Sequence, residues 1–252
     1  MLENRIGLVV GVANEHSIAT GCARAFAREG ATLAMTYIND HALPHVRPVA
    51  DAVGVAELMP LDLARPNQID AVFDTIARRW GRLDFLLHSV AFCPKEDLHG
   101  RVVDCSADGF AQAMDISCHS FLRLARKAEP LMQQGGSLLT VSYYGAEKVV
   151  DNYNIMGPVK AALESVTQNI AVELGSHQIR ANVLSPGPIA TRAASGIENF
   201  DDVIQDAREH AAQKRLVTID EVGETAAFLA SDRASGVTGT ICYIDGGRHV
   251  RM

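Results

Sequence analysis

Tyr153, Met156 and Lys160 stand close together downstream of Tyr143, which ends an apolar run. On a helix, residues seven apart fall about 20° from alignment, so Tyr153 and Lys160 would share one face two turns apart, with Met156 between them. A phenol and an ammonium placed this way suit a hydride-transfer site. The phenol can donate to an oxyanion that forms as hydride arrives. The ammonium can bind the ribose hydroxyls of a nicotinamide nucleotide and hold a positive field near the reacting oxygen. The same spacing also suits an ordinary amphipathic helix with a core tyrosine and a snorkelling lysine. Other positions have to decide between the two.

The first such position is the turn Gly11-Val12-Ala13-Asn14-Glu15-His16-Ser17-Ile18. It follows an apolar run and feeds a helix whose free amides can hold a pyrophosphate. Gly11 permits the turn, Ala13 and Ile18 lie along it, and Ser17 would cap the helix and could donate to a phosphate oxygen. The spacing departs from G-x-G-x-x-G, because Ala13 and Ile18 are not glycine. Asp62, with Leu63 beside it, follows the third strand, where a carboxylate can accept from an adenine amino group or cap the next helix. Ser89, Val90 and Ala91 end the fourth strand in small residues that let a nucleotide approach the backbone. The second strand ends Tyr37-Ile38-Asn39-Asp40, which puts no carboxylate squarely where an adenine ribose binds. It also puts no Arg or Lys there to pair a 2′-phosphate. NADH is therefore the expected cofactor, with NADPH left open.

These residues need elements to carry them. Strands are expected over residues 6–10, 32–36, 56–60, 83–88, 137–142, 180–184 and 240–244. Most are apolar throughout, as a parallel sheet covered on both faces requires. Helices are expected over 17–28, 67–80, 107–132, 152–174 and 219–230. This alternation reads as βαβ units. The fold class is α/β: a Rossmann fold with a doubly wound, seven-stranded parallel sheet. Residues 1–252 read as one dinucleotide-binding catalytic domain. Residues 190–215 break the rhythm and form a small helical flap over the C-terminal edge of the sheet, where sites of this architecture lie.

Composition narrows the function classes. The 252 residues are 48% hydrophobic and 21% charged, ordinary globular usage, with a formal charge of −7. That balance speaks against a nucleic-acid surface. The five cysteines are scattered and odd in number, without paired metal-ligand spacing. A reducing compartment and no metal are expected. The opening apolar run is too short for a signal peptide, and no stretch of transmembrane length is free of polar residues. The expectation is a soluble, cytoplasmic protein with no membrane association.

The chain resembles the short-chain dehydrogenase/reductase superfamily over nearly its whole length. More closely, it resembles the divergent branch of bacterial NADH-dependent enoyl-[acyl-carrier-protein] reductases. The resemblance rests on Gly11-Val12-Ala13, Ser17-Ile18-Ala19, His88-Ser89, Ser142-Tyr143, Asn152-Tyr153-Asn154, Met156-Gly157, Lys160-Ala161, Gly187-Pro188-Ile189, Ala193-Ala194-Ser195-Gly196-Ile197 and Asp245-Gly246-Gly247. Ketone-reducing members carry a tyrosine four residues before the lysine, where this chain has Met156. Their serine position holds Tyr143, and their supporting asparagine would fall near Ile116. By resemblance, then, hydride passes from NADH to the β-carbon of a trans-2-enoyl thioester in fatty-acid synthesis. Tyr153 stabilises the enolate, Lys160 orients the cofactor and Tyr143 positions the thioester. Gly187, Pro188, Ile189 and Thr191 lie along the cofactor and the hinge of the flap. Phe92, Leu98, Met156, Ala193, Ile197 and Phe200 wall the acyl pocket, with Tyr143 and Tyr153. A homotetramer is implied.

Two departures bear on substrate and cofactor. Glu198, Asp201 and Asp202 stand on the flap where related enzymes carry basic residues. Acyl carrier protein is acidic, so these carboxylates weaken the expectation that it docks there. Ile38 can pack on adenine but offers no polar contact. The alternatives are a reductase of another small activated alkene without a carrier protein, and a non-catalytic dinucleotide-binding protein.

Overall fold

A computed structural model describes residues 1–191 and 200–251. Seven strands form one parallel sheet in the order β3-β2-β1-β4-β5-β6-β7 among the described residues. They are β1 (Ile6–Val10), β2 (Thr32–Tyr37), β3 (Glu57–Pro60), β4 (Phe85–His88), β5 (Gly136–Val141), β6 (Ile179–Pro186) and β7 (Ile241–Ile244). β1 is buried along its whole length, as a strand covered on both faces must be. The order reverses between β1 and β4, and the crevice beyond the strand ends at that switch point is where such sheets bind ligands.

Helices cover both faces. α1 (Ile18–Arg28), α2 (Leu43–Ala52) and α9 (Ile219–Ala230) pack on one side through Phe26, Val46 and Val222. α3 (Pro66–Trp80), α6 (Ser120–Ala128) and α7 (Met156–Leu174) pack on the other through Phe73, Phe121 and Leu163. α4 (Lys95–Leu98), α5 (Ala107–Met114) and α8 (Phe200–His210) complete the set that borders the sheet's C-terminal edge. α9 starts with a capping box: Thr218 Oγ1 accepts from the Glu221 amide, and Glu221 accepts from the Thr218 amide.

Three sequence expectations are corrected. The helix expected over 107–132 is broken into α5, a π-turn at Asp115–His119, α6 and a 3₁₀ turn at Glu129–Leu131. The π-turn has a cause outside its own segment. Its Ser117 hydroxyl bonds both the amide and the carbonyl of Phe92, at 2.8 and 2.9 Å. Ser120, the next residue after it, donates to the Ile116 carbonyl at 2.6 Å. The helix expected from 152 begins at Met156, because Asn152 and Asn154 take left-handed backbone angles, φ 62° and 47°. α2 is an element the apolar spacing does not announce. Its Pro44 stands in the first turn, where a missing N–H costs little, and Val46, Val49 and Ala50 are buried despite Pro48.

Candidate active site

A cavity of about 460 Å³ opens at the C-terminal ends of β1, β4, β5 and β6, within the range of ~300–1,000 Å³ typical of small-molecule sites. Gly11, Ala13, Ser17 and Ile18 line it from the β1–α1 turn. Ser89, Val90, Ala91, Phe92 and Leu98 line it from beyond β4. Tyr143, Tyr153, Met156 and Lys160 line it from beyond β5, and Gly187, Pro188, Ile189, Thr191 and Phe200 from beyond β6. These span the cofactor, catalytic and acyl-wall expectations.

The β1–α1 turn is tight. Gly11 has φ +107°, and a Cβ there would lie 2.0 Å from the Ser89 carbonyl oxygen, so only glycine fits between the two strand ends. Ser17 occupies the N-cap position, but its side chain does not cap the helix. It turns back and accepts from the amides of Ala13 and Asn14, at 3.1 and 3.0 Å. Its hydroxyl proton faces Asn14 Oδ1 at 3.4 Å. The hydroxyl therefore fixes the turn, while the amides of Ile18 and Ala19 stay open at the positive end of α1. Open amides beside a cradle of small residues fit a dinucleotide's pyrophosphate.

The chemistry-bearing side chains enter from β5 and α7. Lys160 is 4% exposed. Its Nζ donates to the Val141 carbonyl at 2.7 Å and to the Val90 carbonyl at 3.4 Å. An ammonium has three protons, so one remains for the cavity. Burial pulls this lysine down to about 8, with Cys118 and Glu164 opposing. Tyr153 sits in the turn before α7, not on the helix, at 9% exposure. Its ring meets Tyr143 edge-on, with centroids 4.9 Å apart. Burial pushes Tyr143 up to about 12 and Tyr153 higher still. Both phenols are therefore protonated hydrogen-bond donors at neutral pH. Met156, on the first turn of α7, is buried below Tyr153 in the same apolar cluster.

Several supporting residues escape sequence reasoning. A Cβ on Gly145 would lie 2.5 Å from the Tyr153 ring, so glycine there admits the phenol. Asn154 Nδ2 donates to the Leu98 carbonyl at 2.7 Å, tying the Tyr153 turn to the far wall. The flanking pair Asn152 and Asn154 was the available signal, since asparagine tolerates left-handed backbone better than most residues. His88 is buried between Thr140 Oγ1 (2.8 Å) and Ser120 Oγ (2.9 Å). Burial, reinforced by Lys160, lowers it to about 3, so it is neutral. It braces β4 and does not act as a base.

Other expected site residues do not line this cavity. Ile38 is 55% exposed at the end of β2 and is not among the cavity-lining residues. Asp62 accepts from the Ala64 amide at 3.0 Å and pairs with Arg65 at 3.3 Å. It stabilises its own turn, while Arg65 is the N-cap residue of α3. Leu63 is buried in the core beneath α3. Ala193 and Ile197 lie outside the described residues. No cluster of metal-ligating side chains occurs among the described residues.

A family model described as "Enoyl-(Acyl carrier protein) reductase" matches residues 11–249. The chain is 45% identical over 249 residues to "Enoyl-[acyl-carrier-protein] reductase [NADH] 1" of Rhizobium meliloti (strain 1021), covering 99% of this chain and 92% of that one. It is 42% identical to the enoyl-[acyl-carrier-protein] reductase [NADH] FabI of Synechocystis sp. (strain ATCC 27184 / PCC 6803 / Kazusa), covering 99% and 98%. A crystal structure of the Anaplasma phagocytophilum enoyl-(acyl-carrier-protein) reductase in complex with NAD superposes with a TM-score of 0.95 at 45% identity, covering 99% and 95%. The Aquifex aeolicus VF5 enoyl-[acyl-carrier-protein] reductase (NADH) gives 0.96 at 42% identity, covering 99% and 98%.

Proposed function

This chain belongs to the enoyl-(acyl carrier protein) reductase family, and from that membership we propose that it reduces the carbon–carbon double bond of a trans-2-enoyl thioester, carried on acyl carrier protein, with NADH in fatty-acid synthesis. One observation carries the reading most directly. The phenols that share the cavity with Lys160 are Tyr143 and Tyr153, the latter from the turn ahead of α7, while the position four residues before the lysine is the buried Met156, which has no proton to donate.

Bound NADH would supply the hydride. The open amides of α1 and the small residues Ser89 to Ala91 would hold the dinucleotide, and the remaining Lys160 proton would reach its ribose. Tyr153, kept protonated by burial, donates a hydrogen bond to the thioester oxygen as negative charge develops there. Tyr143, edge-on to it, fixes the angle of that phenol and flanks the thioester. The α-carbon then takes a proton from water or from the phenol. Phe92, Leu98, Met156 and Phe200 exclude water around the acyl chain. Residues 1–252 act as one catalytic domain, with 190–215 as a flap over substrate.

The first turn of α8 carries Asp201 and Asp202, while Asp206, a turn later, is paired with Arg248 at 2.9 Å. The two first-turn carboxylates disfavour an acidic carrier and favour, as a second reading, a small activated alkene presented without one. A homotetramer is part of the proposal, supported by Phe110, Leu122 and Val172 exposed on the outer faces of α5, α6 and α7. Light scattering on the purified protein tests it. No helix among the described residues is long and apolar enough to cross a membrane, which is compatible with a cytoplasmic site of action.

The deciding experiment is steady-state NADH oxidation with crotonyl-carrier-protein and crotonyl-CoA in parallel, with NADPH controls. Faster turnover of the carrier-bound substrate is expected. Inactivity on both, with NADH still bound, would overturn the thioester assignment.

A further inference from the structure

Behind Tyr153 and Lys160 lies a layer of buried polar groups that the reaction above leaves unused. Glu164 stands one turn along α7 from Lys160 and is 7% exposed. Its Oε1 accepts the Ser142 hydroxyl at 2.5 Å. Lys160, for its part, holds the carbonyl of Val141. Two side chains four apart on one helix therefore grip two successive residues at the end of β5, immediately before Tyr143. The sheet carries the layer further: the Ser142 amide donates to the Leu184 carbonyl of β6, and the next residue of β6, Ser185, pairs with Tyr243 of β7. Ser185 Oγ is buried with no hydrogen-bond partner, and Tyr243 donates to Glu147 at the outer end.

We propose that Glu164 is a positioning residue that keeps the Lys160 ammonium charged and, through Ser142, holds the strand end that presents Tyr143. Removing an ammonium from water favours loss of its proton, and a carboxylate in the same dry layer favours keeping it. The other groups facing Lys160 cannot do this near neutral pH. His88 from β4 is neutral, and the Cys118 thiol from the π-turn is pushed up by burial and also neutral. Glu164 itself faces Lys160, Glu147 just past the 3₁₀ turn Tyr144–Ala146, and the protonated phenols of Tyr153 and Tyr243. Burial raises its carboxyl, and the Ser142 hydroxyl pulls it back down. The bond to Ser142 thus helps decide whether Glu164 carries charge at all.

The effect on turnover rests on the reductase reading, but the effect on Lys160 does not. The chain has five lysines, Lys95, Lys127, Lys148, Lys160 and Lys214. In cofactor-free protein labelled with ¹³C at the lysine ε-carbon, the Lys160 signal is identified by its loss in Lys160→Gln. Its titration midpoint is expected near 8. Glu164→Gln should lower it by about one unit, a tenfold change in proton affinity, and Glu164→Asp should restore most of that shift. An unchanged midpoint in Glu164→Gln overturns the proposal. The alkaline limb of kcat/KM for NADH oxidation should move by the same amount. A wild-type protein without turnover would sink the reductase reading and leave the titration to judge Glu164. Should Glu164→Gln fail to fold, the double variant Ser142→Ala/Glu164→Leu, which removes both ends of the buried bond, carries the test: the Lys160 midpoint should fall as in Glu164→Gln, and a static midpoint refutes the role.

Discussion

The turns after β1 and after β5 border the same cavity and work in opposite ways. The first offers backbone: a glycine pressed against Ser89, a serine whose hydroxyl is spent on its own loop, and open helix amides. The second offers side chains: two phenols and an ammonium, aimed by a pair of left-handed asparagines and by the carbonyls of Val90 and Val141. In the first turn, apart from Gly11, the residues serve by keeping the chain path. In the second, single functional groups are irreplaceable while the path has several supports.

If that contrast is right, Tyr153→Phe has the largest effect. It should lower kcat by roughly 10²–10³, as loss of one oxyanion donor does, while NADH affinity measured by fluorescence titration stays at the wild-type value. Equal losses in both would erase the distinction. Next is Gly11→Ala, which forces a Cβ against the Ser89 carbonyl at φ +107°. It should cost about 2–3 kcal/mol in denaturant unfolding and weaken NADH binding through the chain path alone. Third is pH. NADH affinity should fall as pH rises through about 8, where Lys160 loses its proton. Folding should respond in the other direction. Between that value and the ordinary 10.5 the unfolded chain binds more protons at this residue, so its contribution to stability rises with pH. Isothermal titration and urea melts across that window check both slopes. Asn154→Ala should cost about 1–2 kcal/mol and reduce turnover, because the bond to Leu98 and the left-handed preference go together. Asn154→Gly should recover the backbone part only. Ser17→Ala comes last, at about 1 kcal/mol of stability, with turnover nearly unchanged.

The same contrast explains what could be read in advance. β1 and β4 are buried throughout and β2 and β5 along most of their length, so the doubly wound sheet and most of the cavity lining follow from residue type and order. Tyr153 and Lys160 were legible as a pair. The helical face that seemed to join them was not the real link, because α7 begins after the tyrosine. Periodicity cannot see a left-handed turn, although Asn152 and Asn154 mark one. Glu164 sits four residues past Lys160, a visible spacing, yet only burial turns it from a surface charge into a partner. The break at Asp115–His119 depends on Ser117 finding Phe92, a contact 25 residues away that no local window contains. Ile38, Asp62 and Leu63 follow β2 and β3 outside the cavity lining, and their contact with adenine stays a proposal, to be checked by NADH affinity in Ile38→Ala and Asp62→Ala.

The sheet's last strand has a consequence for the order of events during synthesis. β6 is nearly all buried, and from Val183 onward one of its two edges is covered by β7, the last of the seven strands in chain order. Until residues 241–244 emerge, the edge of β6 beyond Val183 displays unpaired amides and carbonyls beside the already formed β5, although Asn182 is already held by the Val237 carbonyl and the Thr240 amide. Such an edge is a template for pairing with another chain. A product terminated just before Ile241 would keep most of the cavity and yet be the form most prone to aggregate.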